Sequence, residues 1–125
     1  MNVVDSSGWL AYFSDGRNAS QFENALKDVE ALVVPSVSIY EVFKVLLRER
    51  GEGAALQGAA AMQVALVVDL TSNLALSAAS ISLAHSLPMA DSIILATARA
   101  YDATVWTQDI DFKDIPGVRY FPKDK

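Results

Sequence analysis

The sequence predicts an α/β fold with a short, mostly parallel β-sheet flanked by helices, and three observations carry that expectation. Short apolar, β-branched runs (MNVVD, ALVV, ALVVD, TVWT) alternate with longer segments whose apolar residues recur every three or four positions. Start and stop residues punctuate those segments where helices should begin and end. At 125 residues, without an internal repeat, a low-complexity linker or a composition break, the chain has the size of one domain, expected to span residues 1–125.

Taken in order, Met1–Asp5 reads as a buried strand ending on an acid. Ser6 or Ser7 is placed to cap a helix carrying Trp9, Leu10 and Phe13. After a turn at Asp15–Arg17, Asn18-Ala-Ser-Gln21 resembles a capping box opening a helix with Phe22, Ala25, Leu26 and Val29. Ala31–Val34 is a second strand, closed by Pro35. Ser38–Arg50 forms a helix with Ile39, Val42, Phe43, Leu46 and Leu47 on one face and Gly51 as its stop. Residues 53–63 are Ala-rich and helical, and Ala65–Asp69 is a third strand. Thr71 caps a helix to about Ala84, and Pro88 suits the first turn of the next. Thr104–Thr107 and Val118–Phe121 complete the sheet.

The composition excludes several classes. There is no cysteine, so disulfides and thiolate metal sites are ruled out, and a reducing cytoplasm is the expected location. No basic leader with a cleavage site opens the chain. No apolar run approaches the roughly 20 residues of a membrane span, so no membrane association is expected. Ten basic against fifteen acidic residues give a net charge of −5, which argues against long-range electrostatic capture of nucleic acid. The chain is nevertheless 52% hydrophobic, with a mean hydropathy of +0.25. Trp9, Tyr12, Phe13, Tyr40 and Phe43 on two early helices suggest apolar surface in excess of one small core.

Four acids stand out, each with an ordinary explanation. Asp5 could make a turn to Ser7 at a strand end. Glu41 fits a capping box with Ser38, Asp91 sits in a first helical turn where the dipole favours it, and Asp109 and Asp111 lie in a loop. Asp91 is the hardest to dismiss, because it shares the stripe of Leu95 and Ala98, where an ionised carboxylate is costly unless compensated. In an open parallel sheet, moreover, ligands bind beyond the carboxyl ends of the strands, which is where these acids collect. Unpaired, they would repel one another, and a hard divalent cation such as Mg²⁺ or Mn²⁺ is their natural neutraliser.

Competing chemistries do worse. His85, the one histidine, reads as a cation near a helix end. There is no G-x-S-x-G elbow and no GK[ST] phosphate loop, and Gly51-Glu-Gly53 lacks the third glycine of a dinucleotide fingerprint. The segment from Asp109 lacks the acids and glycine of a calcium loop.

The order of motifs resembles the PIN-domain nucleases, specifically the VapC-type toxins of toxin–antitoxin pairs. An aspartate ends the first strand in VVDSSGWLAYF, and a glutamate sits in PSVSIYEVFKVLLR. An aspartate follows the proline in LPMADSIILATA, and VWTQDIDFKDIPGVRYF resembles the family's closing T-x-D-x-D-F. The resemblance covers essentially the whole chain. It implies that Asp5, Glu41, Asp91 and Asp109 bind Mg²⁺ or Mn²⁺ for RNA hydrolysis, with Thr107, Ser6 and Asp111 in supporting places. It implies a homodimer and a cognate antitoxin protein as partners. RNA contacts are expected from Lys44, Arg48 and Arg17. Two rivals would use the same topology: a non-catalytic module that binds RNA or protein, and an aspartyl-phosphate protein, for which Lys113 is a poor match to the required lysine.

Overall fold

A computed structural model describes residues 1–123. Five strands, β1 (Asn2–Val4), β2 (Val33–Pro35), β3 (Leu66–Val68), β4 (Thr104–Thr107) and β5 (Val118–Tyr120), alternate with six helices. The helices are α1 (Ser6–Phe13), α2 (Ala19–Lys27), α3 (Ser36–Arg50), α4 (Glu52–Met62), α5 (Ser72–His85) and α6 (Met89–Ala100). All strand pairs are parallel: β1 with β4, β4 with β5, and β2 with β3. The two sheets meet at a single parallel bridge between Asn2 and Leu32, which sets the spatial order β3-β2-β1-β4-β5. The chain therefore leaves β1 towards one side and later returns to its other side at β4. Ligand sites of open α/β sheets lie at such a reversal.

Because the strands run parallel, every helix that follows a strand begins at the carboxyl edge. α1 starts directly after β1, and α3 directly after β2. α6 begins there as well, since it must run back to reach the opposite end of β4. The N-termini of α1, α3 and α6, each carrying partial positive charge, thus open at the edge where the acids lie.

Two apolar clusters fill the two sides of the sheet. One joins Val3, Val33 and Val105 to Ile94, Leu95 and Phe112, and the other joins Val4 and Val34 to Phe22, Val42, Met62 and Trp106. α6 contributes seven consecutive buried residues, Ser92–Ala98. Gly8 lets α1 press against the sheet, because a Cβ there would meet Val4 at 2.5 Å and Phe22 at 2.9 Å. Gly51, at φ 91°, turns the chain between α3 and α4 in a region that side chains disfavour.

Several local expectations are corrected. Asp5, not Ser6 or Ser7, caps α1, accepting from the Gly8 amide. Helix α3 begins at Ser36, so Ser38 is already helical and no capping box with Glu41 forms. Asn18 precedes α2 without a side-chain cap, and its Nδ2 donates instead to Gln108 and to the carbonyls of Phe121 and Pro122. Pro88 lies just outside α6, and α5 extends to His85. Thr71 caps α5 as expected, accepting from the Leu74 amide at 3.2 Å. Trp9 is buried, so the aromatic residues of α1 and α3 do not form one exposed patch. Among the described residues, no single helix is long and apolar enough to cross a membrane.

Candidate metal centre

Asp5 lies at the end of β1 and is 2% exposed. Its backbone N–H continues the ladder to the Trp106 carbonyl at 3.1 Å, which fixes where the side chain starts. Oδ1 accepts from the Gly8 amide at 3.0 Å and from Ser7 Oγ at 2.7 Å. Oδ2 accepts from Thr107 Oγ1, at the end of the neighbouring β4, at 2.7 Å. The carboxyl is thus held by two adjacent strand ends and one helix start. Each carboxylate oxygen offers two lone pairs, and Oδ2 uses only one of them on the protein.

Thr107 also organises the other wall. Its Oγ1 accepts from the Asp109 amide at 2.9 Å, and Asp109 Oδ1 in turn accepts from the Asp111 amide at 2.9 Å. That bond opens a short 3₁₀ turn, Ile110–Phe112, anchored by the buried Phe112. Asp91 arrives from the first turn of α6, half-buried, with Leu95 and Ala98 buried behind it on the same stripe.

Together these elements bring Asp5, Asp91 and Asp109 so close that one carboxylate oxygen of each lies within 4.8 Å of the others. Glu41 is outside that trio. Its Oε1 accepts a 2.6 Å bond from Ser6 Oγ, one residue beyond Asp5. Asp111 is exposed, and among the described residues its recorded role is the backbone bond to Asp109.

The electrostatics follow from this crowding. Burial pushes the Asp5 carboxyl up to about 6, against the opposing hydrogen bonds from Thr107, Ser7 and Gly8, and the charge of Asp109 adds to the rise. Asp91 rises further, to about 7, by burial first and then through the charges of Asp109, Asp5, Glu41 and Asp111. No cation of the chain relieves it: among the described residues the ion pairs are Lys27–Glu23 and Arg48–Glu49, both on exposed helix surfaces. Asp91 also accepts no hydrogen bond from any described residue, unlike Asp5.

The donor set suits a hard divalent cation. It is all carboxylate oxygen, which Mg²⁺ and Mn²⁺ prefer. One oxygen of each carboxylate lies close enough to the other two that a single small cation would be shared among Asp5, Asp91 and Asp109. Ser7, Thr107 and Gly8 hold the buried Asp5 carboxylate in place, the arrangement that outer partners give in metal sites.

Sequence reasoning missed two contributors, Asn18 and Gln108, and paired Ser7 with Asp5 only as a strand-end turn. Ser7 bonds the Asp5 carboxylate directly and also accepts from the Gln108 amide at 3.2 Å. Buried Asn18 donates to Gln108 Oε1 at 3.0 Å and to the carbonyls of Phe121 and Pro122 at 3.4 and 3.1 Å. Gln108 stands between Thr107 and Asp109 in TQDIDF, and that position is the one available signal. Of the basic residues, Arg17 and Lys44 are exposed, with Lys44 over the Tyr40 ring, while Arg48 pairs with its neighbour Glu49.

A family model described as PIN domain matches residues 3–118. No curated protein matches the sequence. Among solved structures, a toxin–antitoxin complex from Klebsiella pneumoniae aligns at 21% identity over 98% of this chain and 99% of that one, with a TM-score of 0.83. VapC20 of Mycobacterium tuberculosis, described as a sarcin–ricin-loop-cleaving toxin, aligns at 22% identity over 98% and 100%, with a TM-score of 0.81. VapBC2 of Rickettsia felis, bound to a fragment of promoter DNA, aligns at 14% identity over 97% of each chain, with a TM-score of 0.72.

Proposed function

The chain belongs to the PIN-domain family, and we propose that it is a metal-dependent endoribonuclease acting as the VapC-type toxin of a toxin–antitoxin pair in the cytoplasm. One observation carries the reading. Three carboxylates from separate elements converge at the carboxyl edge, with no cation of the chain among the described residues to compensate them. Such an arrangement costs stability by itself and is sensible as a metal site.

Asp5, Asp91 and Asp109 hold Mg²⁺ or Mn²⁺. When bound, the ion supplies positive charge for the phosphoryl oxygens and acidifies water near neutral pH. Asp5 is the fixed ligand, because both its oxygens are already positioned by hydrogen bonds. Asp91 has no such ties and adjusts. Asp109 positions the far side through the Thr107 and Asp111 contacts. Glu41, steadied by Ser6 at Oε1 and with no partner at Oε2 among the described residues, orients the attacking water and takes its proton. The phosphodiester is then cut by water, without a covalent bond to the protein.

The proposed partners are RNA, an antitoxin and a second copy of the chain. The solved toxin–antitoxin assemblies of similar fold support the antitoxin. An uncharged, largely apolar face of α5, with Leu76 and Leu83 pointing outward, supports a homodimer.

Purified protein, freed of any antitoxin, should cleave single-stranded RNA with Mn²⁺ or Mg²⁺. Asp5→Asn should lose more than the roughly hundredfold that an outer partner of a metal site is worth. Cleavage that persists in excess EDTA would sink the reading, and a folded protein inert with either metal would make it a non-catalytic module.

A further inference from the structure

A cavity of about 350 Å³ opens beside the acid cluster, lined by Gln108, Asp109, Ile110, Tyr120, Pro122 and Lys123. It shares Asp109 with the candidate metal centre, so an occupant would lie next to the phosphate being cut. Its walls are built in advance. The buried Asn18 amide ties Gln108 to the carbonyls of Phe121 and Pro122, joining the loop after β4 to the segment after β5. Asn18 stands at the start of α2, makes no side-chain cap there, and is buried among these contacts.

We propose that this cavity receives one unpaired nucleobase of the RNA, flanking the scissile phosphate, and so sets where the chain is cut. The inference rests on the ribonuclease reading. The lining fits that occupant: Tyr120 offers an aromatic surface, Ile110 and Pro122 offer apolar contact, and Lys123 can meet the next phosphate. The Gln108 side chain, held by Asn18 at Oε1 and by the Ser7 carbonyl at Nε2, keeps one N–H and one lone pair for a base edge. The charge balance points the same way. With 15 acidic against 10 basic residues and an acidic centre, backbone attraction is scarce, and stacking must supply much of the grip. A base paired in a duplex is not available to enter, so the position must be single-stranded.

The test uses an RNA that the wild type cuts and the same RNA with an abasic ribose at each flanking position in turn. One abasic position should raise KM roughly tenfold to a hundredfold, the range expected for a lost stacked base. Tyr120→Ala should impose a similar rise on the intact RNA, and the abasic RNA should then cost that variant nothing further. Tyr120→Phe should restore cleavage, and the Mn²⁺-dependent gain in melting temperature should be the same in all three proteins. Equal cleavage of every abasic RNA by the wild type would overturn the proposal without any variant. So would Tyr120→Ala that cuts normally at the same bond. A wild type that cuts no RNA overturns the ribonuclease reading and this inference with it.

Discussion

Helices α5 and α6 are consecutive, similar in length and both apolar, yet they do opposite things. α6 buries seven residues in a row and packs on β1, β2, β4 and α3, whereas α5 buries only Ala78 and Ile81 and leans mainly on α6. The single carboxylate of α6 sits in its first turn, at the acid edge, while α5 carries no acid or base except His85. Apolar composition alone therefore does not tell whether a helix is core. In α6 the one carboxylate marks the end that faces the site, with Arg99 in the last turn at the other end. In α5 the absence of charge marks a face still to be covered.

The largest expected effect tests that contrast by packing. Ile94 in α6 is fully buried, and Ile94→Ala should cost about 2–5 kcal/mol in denaturant unfolding. Leu83 in α5 is 87% exposed, and Leu83→Ala should stay within about 0.5 kcal/mol when the protein is dilute enough to be monomeric. At higher concentration, light scattering should show a dimer for the wild type and a monomer for Leu83→Lys. Equal costs for the two truncations would break the comparison.

How much of this was legible in the sequence varied with the range of the interaction. Strand ends and helix faces were readable because they depend on near neighbours: Asp5 at the end of β1 and the Asp91–Leu95–Ala98 stripe lie where the pattern puts them. Caps failed where a boundary moved by two residues. Ser38 and Glu41 match a capping box as text, but α3 begins at Ser36 because Pro35 ends β2 directly against it. Asn18 failed for a different reason: its partners, Gln108, Phe121 and Pro122, are about a hundred positions away, and local pattern carries no trace of them. The single bridge joining the two sheets was invisible for the same reason. The parallel topology placed the acids at one edge, where Asp5, Asp91 and Asp109 meet, with Glu41 outside the trio.

A smaller effect separates the acid end of α6 from the rest of the molecule through pH. Asp5 and Asp91 titrate near 6 and 7 in the folded, metal-free protein, against an ordinary value of 3.8. Between those limits the folded state holds more protons than the unfolded one, so stability falls as pH rises. From about pH 4 to pH 8 each carboxyl should contribute a loss on the order of 1–3 kcal/mol, with part-exposed Asp91 at the lower end because solvent screens it. Urea unfolding in EDTA should show wild type losing ground to Asp91→Asn across that window. A constant difference between the two proteins would mean that Asp91 carries no such strain. Metal binding must displace these protons, so Mn²⁺ affinity should weaken as pH drops below about 7.

The proposed role of Asp91, half-buried in the first turn of α6, is to meet a cation, and melting of wild type and Asp91→Asn at neutral pH, in EDTA and in Mn²⁺, tests it. In EDTA the variant should be as stable as wild type or more so, because it lacks a crowded charge without a partner. Mn²⁺ at ten times its Kd should stabilise wild type by about 1.4 kcal/mol, and Asp91→Asn should show little or none of that gain. The contrary result is a variant that melts earlier in EDTA by a few tenths to about 1 kcal/mol, as loss of a helix-start charge would cause, and that keeps its full gain with Mn²⁺.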